Sequence, residues 1–328
     1  MLCSHIVLLM QCINHRETIC KMIQRVFKAV VGVLLIVSIL IYLNQNADLA
    51  SAFRRISTLD LVFLVALSVL VLVLLGFQFK TLSSMFSVRL RFREWFGLTS
   101  INAMLNLTIP AKAGLLVRGA YLKNTYRFPF ARYARLLIFS HLMMMGVIAF
   151  IGLGLSIYIT SLDSQRRQYL VLFYSSILMG LFVVFYFAPR VMTKIRSHRM
   201  RSICELAHIF PVFNKSSAQR WLIFIVILVL LNILWAVKLQ YSFSVFSSVP
   251  EFTHILLIQC MAGLSLVISF TPGNLGVKEA VIAIGASLLN IPIEVALIAS
   301  LIDRATSMIA IFFFGLLFSY LLNRDLQS

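Results

Sequence analysis

The stretch NLTIPAKAGLLVRGAYLK, residues 106–123, interrupts an apolar part of the chain with helix breakers and three cations. Pro110 and Gly114 are poor residues for a helix interior, and Lys112 and Arg118 are costly to place in hydrocarbon. Because a long apolar segment runs directly into this stretch, the sequence predicts a helix that stops at Pro110 and a second helix that starts beyond it.

The composition of the chain indicates a membrane protein. Hydrophobic residues make up 61% of its 328 residues and charged residues only 12%, against about 25% charged residues in soluble domains. A soluble protein could not bury this much apolar surface, so we predict an all-α polytopic membrane fold. The formal net charge of +18 then belongs to cytoplasmic loops near anionic headgroups, and it does not indicate nucleic acid. The five cysteines form no CxxC pair, and we predict neither a metal site nor another cofactor.

Six stretches approach or exceed the length of about 20 apolar residues that a full span needs. They are residues 26–43, 59–79, 134–160, 169–188, 221–237 and 293–322. Two further regions are apolar but interrupted, and each predicts a broken, re-entrant hairpin. The first breaks at Pro110, and the second, residues 252–290, breaks at the letters TPGNLG. We predict one integral membrane domain over residues 22–322 and a cytoplasmic tail over residues 323–328.

The start of the chain is atypical. Residues 1–21 contain a short apolar stretch without a cleavage site for a signal peptide, whereas the segment from Met22 has basic residues followed by a span. We therefore expect residues 1–21 to be a non-native or disordered extension, with translation starting at Met22.

The basic residues predict the orientation of the spans. Lys and Arg concentrate before the first span, in residues 80–93 and in residues 190–220. The positive-inside rule places these segments, and with them the N-terminus, in the cytoplasm. The first hairpin then opens to the cytoplasm and the second to the outside. Residues 252–270 are also long enough to cross fully, which would reverse every later segment. Lys238, at the end of a span, is expected to extend toward the outer interface.

The two interrupted regions share a pattern. Pro110 is followed by Gly114 at the same spacing as Pro272 is followed by Gly276, and each copy continues to another proline and a long apolar span. Chance similarity between apolar segments is the alternative explanation. Since the two hairpins open to opposite sides, we interpret the pattern as an inverted repeat, an architecture typical of alternating-access transporters.

A backbone break at membrane depth frees polar groups that lipid cannot satisfy, so it lies beside a cavity or inside the protein. A helix that starts after Pro-x-x-x-Gly points unpaired N–H groups at that cavity, and its dipole favours an anion. Asn102, Asn106 and Asn274 either satisfy freed backbone groups or contact the guest. A phosphate or other acidic headgroup is the predicted guest. The residues predicted to line its path or contact it are Lys112, Gly114, Arg118, Thr271, Pro272, Gly273, Asn274, Gly276, Lys278, Glu279 and Arg304.

Several ionisable residues fall inside predicted apolar helices. Charges at this depth are costly and should pair. Neighbouring helix residues diverge by about 100°, so Asp303 and Arg304 need not pair with each other, and Glu279 with Arg304 is an alternative. Glu279 and Asp303 are candidates for a substrate or proton site, and a structural ion pair is the competing interpretation. His141 is a third candidate, either as a proton relay or as a hydrogen-bonded packing residue.

At these motifs the sequence resembles a known family. INAMLNLTIPAKAGLLVRGAYL and SFTPGNLGVKEA, the latter followed by IPIEVALIASLIDRATSMIAIFFFGLL, resemble the membrane domain of bacterial lysylphosphatidylglycerol synthases. That domain also occurs alone, in flippase-like integral membrane proteins. The resemblance runs from Met22 to about Leu322. It departs at Leu115, where the family often has an acidic residue directly after the glycine.

The resemblance implies a lipid flippase or flippase-like transporter of the bacterial inner membrane. The cations along the predicted path favour an anionic phospholipid or a phosphate-bearing lipid-linked intermediate as its cargo. Because the chain ends at Ser328, we expect no aminoacyltransferase domain and no lipid lysylation. GxSxG and HExxH motifs are absent from the sequence, so we expect a transporter and not an enzyme. The absence of a P-loop motif argues against an intrinsic ATP-driven pump. Two alternatives remain: a transferase acting on a lipid-linked substrate, and a scaffold for envelope-biosynthesis enzymes.

Overall fold

Nine α-helices and one short 3₁₀ turn make up the regular structure that the computed structural model describes. The described residues are 57–109, 113–160, 162–194, 215–244, 249–265 and 272–327, all within one compact unit, Ala52–Ser328. The helices are α1 (Thr58–Met85), α2 (Phe92–Thr108), α3 (Ala113–Tyr126), α4 (Phe130–Tyr158), α5 (Ser164–Lys194), α6 (Lys215–Phe243), α7 (Phe252–Ser265), α8 (Val277–Leu288) and α9 (Ile293–Gln327), with the 3₁₀ turn at Pro272–Asn274.

Five of these helices, α1, α4, α5, α6 and α9, are long and apolar enough to cross a membrane. They confirm five of the six predicted spans and the all-α polytopic fold. The predicted first span, residues 26–43, and the predicted N-terminal extension lie outside the described residues. Helix α9 runs on through residues 323–327, where the sequence predicts a tail.

Two side-chain contacts define the ends of the helix bundle. Helix α1 begins near Asp60, whose carboxylate accepts a hydrogen bond of 2.7 Å from the Tyr241 hydroxyl of α6. It ends near Ser84, whose carbonyl accepts a hydrogen bond of 3.3 Å from Arg220 at the other end of α6. Helices α1 and α6 are therefore antiparallel, and we name the two ends of the bundle the Tyr241 end and the Arg220 end.

The first hairpin, α2 and α3, has both of its outer ends at the Arg220 end. The Tyr126 hydroxyl at the end of α3 donates a hydrogen bond of 2.6 Å to the Glu94 carboxylate and lies 3.3 Å from the Arg89 carbonyl oxygen. Glu94 lies in the first turn of α2, and Arg89 lies in the short connection that follows α1. The start of α2 and the end of α3 thus lie side by side.

The second hairpin, α7 and α8, has its outer ends at the Tyr241 end. The side chain of Gln240 donates a hydrogen bond to the Pro250 carbonyl, just before α7. Phe252 at the start of α7 and Leu289 directly after α8 pack against the same hydrophobic core as Phe243. The two hairpins therefore enter the bundle from opposite ends, as the inverted repeat predicts.

The packing between the two copies is reciprocal. Helix α2 packs on α9, with Gly97 against Phe318, and α7 packs on α4, with Gly263 against Ile148. The first arm of each hairpin thus contacts the long helix that follows the other hairpin. This exchange is what a two-fold relation between the copies produces, and it places Leu107, near the end of α2, beside Gly273 of the second break.

Candidate functional site

At the first break, α3 begins in close contact with α2. The Gly114 N–H donates a hydrogen bond of 3.1 Å to the Asn106 side chain, which satisfies one of the unpaired N–H groups at the start of α3. A Cβ atom on Gly114 would lie only 2.4 Å from the Asn102 carbonyl oxygen. Glycine is needed here because the two backbones touch. Pro110 and Lys112 lie outside the described residues.

Arg118 follows one turn further along α3 and is only 8% exposed. Its guanidinium donates a hydrogen bond of 3.2 Å to the Thr99 hydroxyl and lies 4.1 Å from the centre of the Phe79 ring. Among the described residues no carboxylate forms an ion pair with it, and its Nε has no hydrogen-bond partner. Arg118 is thus a buried cation whose charge no described acid balances.

A cavity of about 360 Å³ lies beside the described residues that flank the two breaks. The Gly273 backbone of the second break contacts Leu107 of the first. Within the described part of the chain, Arg118 is the only Lys or Arg that lines the cavity, and no Asp or Glu does. The polar side chains in its lining are Gln78, Thr99, Asn102, Asn106, Arg118, Ser140, His141 and Asn274. The volume lies in the usual range of small-molecule pockets, roughly 300–1,000 Å³.

The second break is held by an ion pair. The Gly276 N–H donates a hydrogen bond of 2.8 Å to the Glu279 carboxylate, which caps α8. The other Glu279 oxygen lies 2.6 Å from the Arg304 Nε of α9. Arg304 also donates hydrogen bonds to the carbonyls of Gly273 at 3.2 Å and Asn274 at 3.3 Å. Gly273 and Gly276 have φ of 60° and 81°, a conformation that favours glycine.

A second ionic cluster ties α6, α8 and α9 together beside this break. Asp303 contacts Lys278 at 2.9 Å and Lys238 at 3.1 Å. The Lys238 ammonium also donates to the Asp303 carbonyl at 2.6 Å and to the Ser307 hydroxyl. The prediction that Lys238 extends to the outer interface is wrong, because its side chain is only 1% exposed. A buried carboxylate needs compensating charge, and Lys238 supplies part of it.

A match to a protein family covers nearly all of the described helices. The family described as the lysylphosphatidylglycerol synthase TM region matches residues 29–315. The chain belongs to this family. No curated protein and no solved structure matches it.

Within this family fold, the predicted site residues separate into two groups. The cavity lining contains Arg118, His141, Gly273 and Asn274, and it does not contain Lys278, Glu279 or Arg304. Those three take part in the ion pairs that hold the second break. Thr271 lies outside the described residues.

The three asparagines left open by the sequence have different surroundings. Asn106 accepts the hydrogen bond from the Gly114 N–H. Asn274 donates to the Ser265 carbonyl and hydroxyl at 3.2 and 3.1 Å. The side-chain oxygens of Asn102 and Asn274 are buried and have no partner among the described residues. Asn106 therefore satisfies the freed backbone, whereas two amide oxygens remain available inside the bundle.

Sequence reasoning missed three polar residues of the cavity. Thr99 supports Arg118, and Gln78 donates a hydrogen bond of 3.2 Å to Ser140 across α1 and α4. Each is a polar residue within an apolar helix, and that isolation is the signal that identifies such residues. His141 lies one residue after Ser140, and its Nδ1 is 2.8 Å from the Leu137 carbonyl.

Proposed function

We propose that this membrane domain moves an anionic phospholipid or a phosphate-bearing lipid-linked intermediate across the bacterial inner membrane. The headgroup occupies the central cavity and binds Arg118. The observation that carries the proposal is the charge of Arg118, which is buried in the cavity lining without a carboxylate partner among the described residues.

The chemistry of Arg118 favours a phosphate. A buried cation without a counter-charge is costly to the protein alone, and an anionic ligand offsets that cost when it binds. The planar guanidinium matches phosphate oxygens in a two-point contact. One of its terminal nitrogens is held by Thr99, whereas its Nε is buried without a hydrogen-bond partner among the described residues.

The arrangement of the two hairpins supports transport. They enter from opposite ends of the bundle, and the described residues that flank their breaks, Leu107 and Gly273, lie together at the cavity. Movement of the first hairpin would connect the cavity with the Arg220 end, and movement of the second would connect it with the Tyr241 end. A central site between two inverted hairpins is the geometry that alternating access requires. The lipid gradient is the energy source that we propose, because Glu279 and Asp303 are held in ion pairs at the second break.

The test is lipid translocation in proteoliposomes. The wild-type protein is reconstituted with phosphatidylglycerol labelled on its acyl chain, and a membrane-impermeant quencher reports the fraction of label that changes leaflet. We expect faster exchange than in protein-free vesicles, and loss of most of that exchange in Arg118→Gln. The matched control is Arg132→Gln, which removes an exposed cation and should leave the rate unchanged.

Two results would contradict the proposal. One is wild-type exchange no faster than in protein-free vesicles, which is the outcome expected of a scaffold. The other is equal exchange by wild type and Arg118→Gln. A change in the mass of the lipid during the assay would instead support a transferase.

A further inference from the structure

The cavity lining carries positive charge without a balancing negative charge among the described residues. Among its described lining residues Arg118 is the one permanent charge, and no Asp or Glu is present. The buried carboxylates of the described residues are Glu279 and Asp303. Arg304 holds the first, and Lys238 and Lys278 hold the second. A positively charged group that enters the cavity therefore meets Arg118 without any carboxylate to compensate it.

Leu115 is the position at which this charge could have been balanced. It lines the cavity and lies three residues before Arg118 on α3. Residues at this spacing are neighbours on one face of a helix, and an acidic residue followed by a basic one forms an ion pair there. The leucine side chain instead keeps this wall of the cavity apolar and leaves the charge of Arg118 unpaired.

Two side-chain oxygens in the cavity lining lack a hydrogen-bond donor among the described residues. The amide oxygens of Asn102 and Asn274 are buried without a partner among the described residues, and Asn274 is only 2% exposed. A buried acceptor without a donor is unfavourable. Hydroxyl groups of a ligand would satisfy these oxygens without adding positive charge near Arg118.

We infer that the cavity selects lipid headgroups by their charge. It accepts headgroups that combine a phosphate with hydroxyl groups and excludes headgroups that carry an ammonium group. Leu115 is the residue that sets this preference. The inference rests on the proposed function. Phosphatidylglycerol has the accepted chemistry. Phosphatidylethanolamine and lysylphosphatidylglycerol carry ammonium groups and are disfavoured, because like charges in a desolvated site repel each other.

Competitive lipid binding tests the selection separately from transport. The purified protein in detergent is offered equal amounts of phosphatidylglycerol, phosphatidylethanolamine and lysylphosphatidylglycerol with matched acyl chains, and retained lipids are quantified by native mass spectrometry. We expect wild type to retain phosphatidylglycerol over either competitor by on the order of tenfold or more.

Three variants separate charge from shape. Leu115→Glu should lose most of the preference for phosphatidylglycerol, because the new carboxylate neutralises Arg118. Leu115→Gln has a side chain of similar size without charge and should keep the preference. Asn124→Glu adds the same charge to an exposed position of α3 and should also keep it. Retention of folded protein by each variant is checked by size-exclusion chromatography.

The outcomes distinguish this inference from the proposed function. Equal retention of the three lipids by wild type overturns the inference, and so does an unchanged preference in folded Leu115→Glu. If Leu115→Glu fails to fold, loss of the preference in Arg118→Gln supports the inference, and its persistence there overturns it. A clear binding preference without translocation supports the inference and contradicts the proposed function.

Discussion

The two breaks share a sequence pattern and differ in their electrostatics. The first break leads to Arg118, a buried cation without an acidic partner among the described residues. The second break is surrounded by charges that pair with each other, Glu279 with Arg304 and Asp303 with Lys238 and Lys278. The comparison teaches that a buried charge has two uses in this bundle. At the second break charges hold the backbone in place, whereas at the first break we propose that the charge of Arg118 binds a ligand.

The difference has a consequence for stability. Removing one partner of a buried ion pair leaves the other uncompensated and strongly destabilises a protein. Removing a buried charge that has no ion-pair partner leaves no unpaired charge behind. Substitutions at the second break should therefore lower stability, whereas neutralising Arg118 should affect binding and spare the fold.

The largest effect is expected at Asp303. Asp303→Ala leaves both Lys238 and Lys278 without their carboxylate, so we expect the free energy of unfolding to fall by roughly 3–5 kcal/mol. Thermal unfolding of the detergent-purified protein measures the change. Asp163→Ala is the control, because this exposed residue forms a surface pair with Arg166, which is worth at most about 1 kcal/mol. Equal stability of the two variants would mean that the Asp303 cluster does not hold the second break.

The pair of Glu279 and Arg304 should show strong coupling. Glu279→Ala and Arg304→Ala are each expected to lower the free energy of unfolding by about 3 kcal/mol, because each leaves a buried charge behind. The double variant should lose clearly less than the sum, with an interaction energy of roughly 1–3 kcal/mol. Additive losses in the double-mutant cycle would show that the ion pair contributes little beyond its separate side chains.

Parts of this comparison could be predicted from the sequence. Apolar length predicts the spans, and the Pro-x-x-x-Gly pattern predicts both breaks, because these signals are local. The pairing of Glu279 with Arg304 was one of two alternatives that helix geometry left open. The structure selects it by placing the start of α8 against α9.

Other parts depend on contacts between distant segments. Lys238 lies near the end of an apolar span, so its own neighbourhood predicts an interfacial side chain. Its actual surroundings depend on Asp303, which belongs to another helix. The sequence also does not predict that Arg118 lacks an acidic partner among the described residues. That property depends on where acidic residues of other helices lie in the folded protein. A single sequence therefore does not predict which buried charges on different helices pair with each other.

The glycines of the two breaks should respond differently to alanine. Gly114→Ala places a Cβ atom against the Asn102 backbone, and such overpacking costs typically 1–3 kcal/mol. Gly276→Ala meets no atom within 4 Å but has φ of 81°, which costs an L-residue about 1–2 kcal/mol. Gly154→Ala, also without a neighbour within 4 Å, is the control and should not destabilise the protein. Thermal unfolding ranks the three, and a harmless Gly114→Ala would refute the close approach of α2 and α3.

A smaller loss is expected at Asn106. Asn106→Ala removes the acceptor for the Gly114 N–H, so we expect the free energy of unfolding to fall by about 1 kcal/mol. Hydrogen exchange of the first turn of α3 provides the local measurement. Equal protection in wild type and Asn106→Ala would show that this side chain does not cap the helix.

The most direct test of the central claim is the effect of phosphatidylglycerol on the melting temperature of wild type and Arg118→Gln. A ligand that binds the folded state raises its stability in proportion to its affinity. We predict that Arg118→Gln melts no lower than wild type without added lipid and that added phosphatidylglycerol raises the melting temperature of wild type only. If Arg118→Gln melts below wild type without lipid and is still stabilised by added phosphatidylglycerol, the result would contradict the claim that Arg118 binds a lipid headgroup.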